Sequence, residues 1–281
     1  MSFSQIKSHA KINLALNIVG KTTNLHKIES IIAFIDLYDL IFIKKIKSKK
    51  NNISFSGKFS ENIGKKNTVS ELMKILEKKK FLKDKKFHIK VDKRIPSQAG
   101  LGGGSMNAAS ILRYFIKKKI IKIKKKQILK ISRMIGSDVI LGLNPFNTIL
   151  TSKNKIKIFT KYKKIHTLIV KPNFGCSTKE IYSKVKNFER PKFNRPNINM
   201  FNWDYLKKMN NNLELIVFSK YPNLKKIKLF IEKSLNPVFV RMSGSGSVLV
   251  AYFQSKKICE LAKKKFNKKY KNYWCIASKT I

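Results

Sequence analysis

Residues 96–109 read PSQAGLGGGSMNAA, and four of the chain's 12 glycines lie between positions 100 and 104. Before this stretch, apolar residues at 87, 89 and 91 alternate with polar ones, which is the period of a half-buried strand. After it, apolar residues between 108 and 116 recur at helical spacing. The pattern predicts a strand, a glycine loop and a helix, in that order.

A glycine loop that leads into a helix is suited to binding an anion. The first N–H groups of a helix have no partner within it, and the helix dipole places partial positive charge there. Glycine allows close approach of phosphate oxygens and adopts positive φ angles. We interpret the loop as a cradle for nucleotide phosphates, and the alternative is a tight turn without a ligand.

Two better-known phosphate loops do not fit this sequence. The dinucleotide pattern G-x-G-x-x-G would begin at Gly100 but meets Ser105 where its third glycine belongs. The P-loop pattern would end at residues 20–22, but Ala15 replaces its first glycine.

Composition indicates a globular protein. The chain has 281 residues, of which 43% are hydrophobic, enough for one large domain or two smaller ones. The net charge of +47 invites a nucleic-acid-binding module as an alternative function. However, the lysines are spread over nearly every segment with many Ile and Asn residues, as an AT-rich genome produces. We therefore predict that most lysines are solvated and that RNA binding is non-specific.

The sequence predicts a cytoplasmic protein without a membrane segment. The first residues contain no apolar signal segment, and the most apolar run, 31–43, is short and interrupted by Asp36 and Asp39. The three cysteines lack the spacing of metal ligands, so we predict reduced thiols and no zinc site.

Two polar positions stand out within otherwise apolar segments. Residues 10–18 alternate as a strand, with Lys11 and Asn13 on the same face. This face is either exposed to solvent or part of a site, since asparagine is uncommon in strands. Asp138 follows a predicted helix at 124–135 and is either a turn or capping residue or part of a site.

Further elements follow from local patterns. Residues 68–71, Thr-Val-Ser-Glu, match a capping box and predict that a helix begins there. Strands are predicted at 149–159 and 167–170, a short helix at 177–185, and a second glycine turn that runs into a strand within 241–252.

Three stretches together resemble the motifs of the GHMP kinases, which include galacto-, homoserine, mevalonate and phosphomevalonate kinases. SHAKINLAL at 8–16 resembles the first motif, the glycine loop the second, and RMSGSGSVLVAYF at 241–253 the third. Residues 10–14, His26, 91–96 and 136–139 most resemble members that phosphorylate a cytidine-diphosphate-linked methylerythritol. The alternative is a small-molecule kinase of homoserine or mevalonate type.

This resemblance implies an α+β fold with the active site in a cleft between two domains. Residues 1–161 would form an ATP-binding domain resembling ribosomal protein S5, and residues 162–281 a ferredoxin-like domain. ATP would be the co-substrate, with Mg²⁺ bridging its phosphates. The resemblance implies a monomer or weak homodimer that acts on a small molecule, without a specific nucleic-acid partner or a metal held by protein side chains.

The resemblance also implies residue roles. Asp138 would be the general base, with Lys11 beside it, and the substrate would contact Asn13, His26, Thr178 and Tyr182. The residues implied around ATP are Asn67, Lys93, Pro96, Ser97, Gln98, Ala99, Gly100, Leu101, Gly102, Gly103, Gly104, Ser105, Met106 and Asn107.

The chain departs from the family pattern at a few positions. Leu25 stands where many members have a tyrosine that stacks on the cytosine, so we expect weaker substrate binding. Met106 replaces the usual second serine of the glycine loop. Ile140 and Gly142 replace the common proline and aromatic residue after Asp138 and Val139.

Overall fold

The computed structural model describes residues 2–23, 25–61, 63–160 and 163–281, which form two compact units. The first unit comprises the N-terminal segment up to Ala10, Leu37–Ser97 and Gly102–Pro145. The second comprises Lys11–Asp36, Gln98–Leu101 and Phe146–Ile281. The predicted domain boundary between residues 161 and 162 lies outside the described residues and stays a prediction.

Two long, paired strands, β1 (Ser4–Lys21) and β2 (His26–Ile46), contribute residues to both units. The prediction that Lys11 and Asn13 could face solvent is wrong, because they are only 5% and 3% exposed. The strand is buried on both faces here, so its polar side chains need hydrogen-bond partners within the protein.

In the first unit, β3 (Asn52–Ser56) lies parallel to β4 (Lys86–Asp92), and β4 lies antiparallel to β2. Apolar residues of the strands and helices form a shared core, in which the rings of Phe87 and Phe115 lie 4.8 Å apart. The helices are α1 (Thr68–Lys78), α2 (Gly103–Lys117), α3 (Lys125–Ile135) and α4 (Val139–Gly142).

Helix α1 is capped one residue earlier than the sequence predicts. The Asn67 side chain accepts hydrogen bonds from the backbone N–H groups of Val69 (3.1 Å) and Ser70 (3.0 Å), and the Ser70 hydroxyl oxygen accepts from the Asn67 N–H. The prediction of a capping box at Thr68–Glu71 is therefore wrong. Asparagine is the stronger capping residue, so it displaces the adjacent threonine.

In the second unit, β2 pairs with β5 (Asn147–Leu150), which pairs with β6 (Ile156–Phe159). The single strand predicted at 149–159 is therefore wrong. A hairpin turn interrupts it, in which Asn154 adopts a left-handed φ of 57°. Asparagine tolerates this conformation better than most residues.

A separate antiparallel sheet of the second unit has the order β10-β7-β9-β8, formed by Trp274–Lys279, His166–Lys171, Leu249–Phe253 and Phe239–Met242. Its helices pack apolar residues into one core with these strands. They are α5 (Thr178–Ser183), α7 (Leu213–Lys220), α8 (Pro222–Ser234) and α9 (Lys256–Lys269). The second unit also contains α6 (Trp203–Lys207) and a 3-10 turn at Ile198–Phe201.

The three cysteines are free thiols. Burial raises the pKa of Cys176 to about 11 and those of Cys259 and Cys275 to about 12, so all three are protonated and poorly nucleophilic at neutral pH. Throughout the described ranges, no helix is long and apolar enough to cross a membrane.

Candidate active site

The glycine loop connects β4, which ends at Asp92, to α2, which begins at Gly103, as the sequence predicts. Three of its residues have left-handed φ angles: Gln98 (50°), Gly100 (73°) and Gly102 (68°). Glycine adopts this conformation without steric cost, which explains two of the four glycines. Residues 98–101 belong to the second unit and the flanking residues to the first.

The middle of the loop is held by backbone and hydroxyl groups of the second unit. The N–H of Lys11 donates to the Leu101 carbonyl (3.1 Å), and the N–H of Cys176 donates to the Gln98 carbonyl (3.3 Å). These bonds fix the loop against β1 and against the segment before α5.

The second glycine turn also contacts the loop. The Ser243 hydroxyl donates to the Gly100 carbonyl (2.9 Å) and accepts from the Asn13 N–H (3.2 Å). A Cβ atom at Gly100 would lie 2.7 Å from the Ser243 carbonyl carbon and would overlap its oxygen. Ser243 therefore joins the three motifs that the sequence shares with the GHMP kinases.

Lys11 and Asn13 form a buried polar chain on β1. The Lys11 ammonium donates to Asn13 Oδ1 (2.7 Å), and Asn13 Nδ2 donates to Ser30 Oγ (2.8 Å). Ser30 in turn donates to the Ala15 carbonyl (2.6 Å). This chain holds the ammonium in one position and explains why an asparagine lies two residues from the lysine.

An aromatic cluster surrounds His26. Its ring centroid lies 5.2 Å from that of Tyr182 and 6.4 Å from that of Phe188. Burial, with a smaller contribution from Lys21, lowers the His26 pKa below its usual value, so the ring is neutral at pH 7. Its Nε2 atom is buried and has no hydrogen-bond partner among the described residues. Leu25 is 69% exposed and adds no ring to the cluster.

Helix α5 carries two of the predicted substrate residues. Tyr182 lies one turn after Thr178, whose hydroxyl oxygen is 2.9 Å from that of Ser245 in the second glycine turn. Neither Ser245 nor Phe188 is predicted from the sequence. A lone aromatic residue in the polar segment 186–192 was the available signal for Phe188.

Lys93 and Asn107, both predicted to lie near ATP, contact one buried acid, Asp39. The Lys93 ammonium forms an ion pair with its carboxylate, and Asn107 Nδ2 donates to it at 3.0 Å. In the sequence, Asp39 is recognisable only as an interruption of an apolar run. An acid inside a buried strand was the signal that it has partners.

Asp138 lies in a turn at the N-cap position of α4, which agrees with the turn interpretation, but its side chain makes no capping hydrogen bond to the helix. A Cβ atom at Gly136 would lie 3.6 Å from Ser105 Oγ, which places the turn before Asp138 next to the first turn of α2. Asn67 is linked to the loop through its neighbour Thr68, whose hydroxyl donates to the Gly104 carbonyl at 2.7 Å.

Two departures from the family pattern depend on each other. Met106 is buried, and its sulfur would lie 2.9 Å from a Cβ atom at Gly142, too close for any side chain there. The absence of a side chain at 142 leaves the volume that Met106 fills. The methionine thus contributes to the core, whereas a serine hydroxyl there would need a polar partner.

Known proteins resemble the chain over its whole length. The family described as GHMP kinases N terminal domain matches residues 67–146. A 4-diphosphocytidyl-2-C-methyl-D-erythritol kinase of Pelagibacter ubique (strain HTCC1062) is 56% identical over 281 residues, 100% of both chains. One from Clostridium tetani (strain Massachusetts / E88) is 32% identical over 99% of this chain and 100% of its own.

Solved structures share the fold. The crystal structure of a 4-(cytidine 5'-diphospho)-2C-methyl-D-erythritol kinase has a TM-score of 0.78 at 20% identity and covers 99% of this chain and 100% of its own. That of homoserine kinase from Cytophaga hutchinsonii ATCC 33406 has a TM-score of 0.71 at 14% identity, with coverages of 100% and 95%. At such identities the likeness establishes a shared α+β architecture and leaves the substrate open.

Proposed function

Since this chain belongs to the 4-diphosphocytidyl-2-C-methyl-D-erythritol kinase family within the GHMP kinases, we propose that it phosphorylates the C2 hydroxyl of 4-diphosphocytidyl-2-C-methyl-D-erythritol with ATP. This step belongs to the non-mevalonate route to isoprenoid precursors. Identity of 56% over the full length to a relative of that name supports this substrate over homoserine or mevalonate. A cytoplasmic location, a monomer or weak homodimer, and the lack of a specific nucleic-acid partner stay predictions.

The glycine loop and the N-terminus of α2 bind the phosphates of ATP in this proposal. The observation that carries it is that α2, 15 residues long, starts from a left-handed Gly102 without any side-chain capping bond. Its first N–H groups are therefore not taken by a capping side chain, and together with the helix dipole they favour an anion. Oriented amides of this kind also stabilise charge that develops during phosphoryl transfer.

Asp138 acts as the general base. Its carboxylate takes the proton of the C2 hydroxyl, whose oxygen bonds to the γ-phosphorus as the bond from phosphorus to the bridging oxygen of ADP breaks. Proton transfer of this kind contributes ~10²–10⁴-fold to the rate. The buried Lys11 ammonium, oriented by Asn13, provides positive charge for the transferred phosphoryl group.

A Mg²⁺ ion bound with the nucleotide would supply neutralisation of phosphate charge. In the part of the chain that the structure describes, no group of three or more His, Cys, Asp and Glu side chains could hold a metal ion. In this proposal Mg²⁺ would arrive with the nucleotide, because it commonly retains waters and substrate phosphate oxygens as ligands. The Ser105 hydroxyl, in the first turn of α2, is an oxygen ligand that the loop offers.

The cytidine end of the substrate is held by the cluster around His26. The neutral ring of His26 has an unsatisfied Nε2 that can hydrogen-bond to a base, and Tyr182 provides an aromatic face for stacking. Asn13 and the Thr178 hydroxyl provide further polar contacts. The exposed Leu25 gives no stacking face, which is consistent with the weaker binding that the sequence predicts.

The test of the substrate is an ATP-consumption assay with 4-diphosphocytidyl-2-C-methyl-D-erythritol beside mevalonate and homoserine. Turnover of the cytidine compound alone supports the proposal. Turnover of mevalonate or homoserine instead would establish the second candidate function.

The test of the base is Asp138→Asn, which keeps the shape of the side chain but cannot accept the proton. We expect kcat to fall ~10²–10⁴-fold with ATP affinity nearly unchanged. Asp84→Asn, at an exposed position, is the matched control and should leave kcat unchanged. Full activity of the Asp138 variant would place the base elsewhere.

A further inference from the structure

Asp39 is a completely buried acid in β2, 0% exposed, and its carboxylate accepts four hydrogen bonds. Oδ1 accepts from the backbone N–H groups of Arg94 and Ile95, each at 2.8 Å. Oδ2 accepts from Asn107 Nδ2 at 3.0 Å and from the Lys93 ammonium. All of these groups belong to the first unit.

These donors lie on both sides of the glycine loop. Residues 93–95 directly precede Pro96, and Asn107 directly follows Met106 in the second turn of α2. A single carboxylate therefore ties the segment that enters the loop to the helix that leaves it. We propose that Asp39 is a positioning residue for the phosphate loop, which fixes the separation of the two ends and thereby the direction of the loop amides. This inference rests on the proposed function.

The charge of Asp39 has a second consequence at the same place. A Cβ atom at Gly103 would lie 3.3 Å from the Lys93 ammonium, so this cation lies at the positive end of the α2 dipole. A cation is unfavourable there unless it is neutralised, and Asp39 neutralises it. Because Lys93 is paired with Asp39, most of its electrostatic attraction for a bound phosphate is offset.

Electrostatics and positioning predict opposite results for Asp39→Asn. Removal of one negative charge raises the positive potential at the loop, which by itself would tighten ATP binding. Loss of the hydrogen bonds that connect the two loop ends through Asp39 would weaken ATP binding, because the loop amides would no longer converge on the phosphates. The sign of the change in ATP affinity thus separates the two effects.

A matched control exists in the second unit. Glu29 is also 0% exposed, and its carboxylate accepts from the N–H groups of Lys192 (2.7 Å) and Phe193 (3.0 Å) and from Asn17 Nδ2 (2.9 Å). Glu29→Gln therefore disturbs a buried carboxylate of similar environment that does not contact the glycine loop in any of these bonds.

The experiment measures the dissociation constant for ATP by direct titration without a second substrate, together with both KM values and the denaturation midpoint. We expect Asp39→Asn to weaken ATP binding at least about tenfold, since hydrogen bonds to a charged group at both loop ends are lost. The KM for the cytidine substrate should change less than about twofold, because none of the hydrogen bonds to Asp39 involves a residue assigned to that substrate. Glu29→Gln should lower stability but leave the ATP dissociation constant unchanged.

A second pair of variants covers the case in which Asp39→Asn folds poorly. These variants are Lys93→Met and the double variant Lys93→Met/Asp39→Asn. Both lack the Lys93 ammonium, which Asp39→Asn alone would leave buried without its ion-pair partner. The double variant should still bind ATP more weakly than Lys93→Met alone. The inference would be overturned if Asp39→Asn bound ATP as tightly as the wild type or more tightly, or if the double variant did so relative to Lys93→Met. An equal loss of ATP affinity in Glu29→Gln would also overturn it. Because ATP binding is titrated directly, a wrong alcohol substrate would refute the proposed function without affecting this result.

Discussion

The middle and the flanks of the glycine loop are held by different kinds of groups. Residues 98–101, in the second unit, are held by backbone N–H groups and by the hydroxyl of Ser243. The flanks, in the first unit, are tied by the carboxylate of Asp39. The middle therefore depends on close approach of two backbone segments, which tolerates no Cβ atom at Gly100, whereas the flanks depend on a charge and its donors.

Because of this difference, glycine is needed at neighbouring positions of the loop for different physical reasons. Gly100 is required because its backbone touches the second glycine turn at a positive φ. Gly103 begins α2, and a Cβ atom there would meet Cγ2 of the buried Ile95 side chain at 3.0 Å rather than a backbone atom. Contact with the second glycine turn is thus an additional reason for glycine at Gly100, and its place in the phosphate cradle stays a prediction.

The largest effect should come from alanine at the middle of the loop. Gly100→Ala should destabilise the protein by about 3 kcal/mol, because overpacking costs ~1–3 kcal/mol and the left-handed conformation ~1–2 kcal/mol. Gly103→Ala, in the flank, should cost about 1 kcal/mol, at the low end of overpacking, since its Cβ would meet side-chain atoms and its φ is not left-handed. Urea denaturation measures both. Equal costs would remove the distinction between the two regions.

A smaller loss of stability should follow from removal of the Ser243 hydroxyl, which joins the three motifs. Ser243→Ala leaves the Asn13 N–H and the Gly100 carbonyl without this partner, which should cost about 2 kcal/mol. Ser60→Ala is the control, because its hydroxyl donates only to the nearby Gly57 carbonyl in the first unit, and it should cost about 0.5 kcal/mol or less. A Ser243 variant as stable as the control would show that the motifs need no hydroxyl bridge.

The smallest effect concerns the coupling of Met106 and Gly142 in the first unit. Gly142→Ala should be destabilising because its Cβ would lie 2.9 Å from the Met106 sulfur and 2.7 Å from Ala109 Cβ. Part of this cost should disappear in a Met106→Ser background, with a coupling energy of about 1 kcal/mol. A double-mutant cycle by denaturation measures it. Additive costs would mean that the side chains at 106 and 142 do not interact.

Local patterns predicted the elements well where the determining interactions are short-range. The strand, loop and helix around Gly100–Gly104 are confirmed because periodicity and glycine conformation act within a few residues. Errors arose where local signals compete. At Asn67 two adjacent capping residues were available, and around Asn154 the polar segment 151–155 separates two short strands that were predicted as one.

The sequence by itself determined the strand-loop-helix unit, the motifs that identify the family and the positions of Lys11, Asn13 and Asp138. The tertiary structure alone revealed that Ser243 bridges Asn13 and Gly100, and that Asp39 joins the two ends of the glycine loop. Side-chain hydrogen bonds between residues 230 positions apart leave no periodic trace, because each depends on how separate segments pack. Helices and strands leave such a trace, since their own repeat sets which residues are buried.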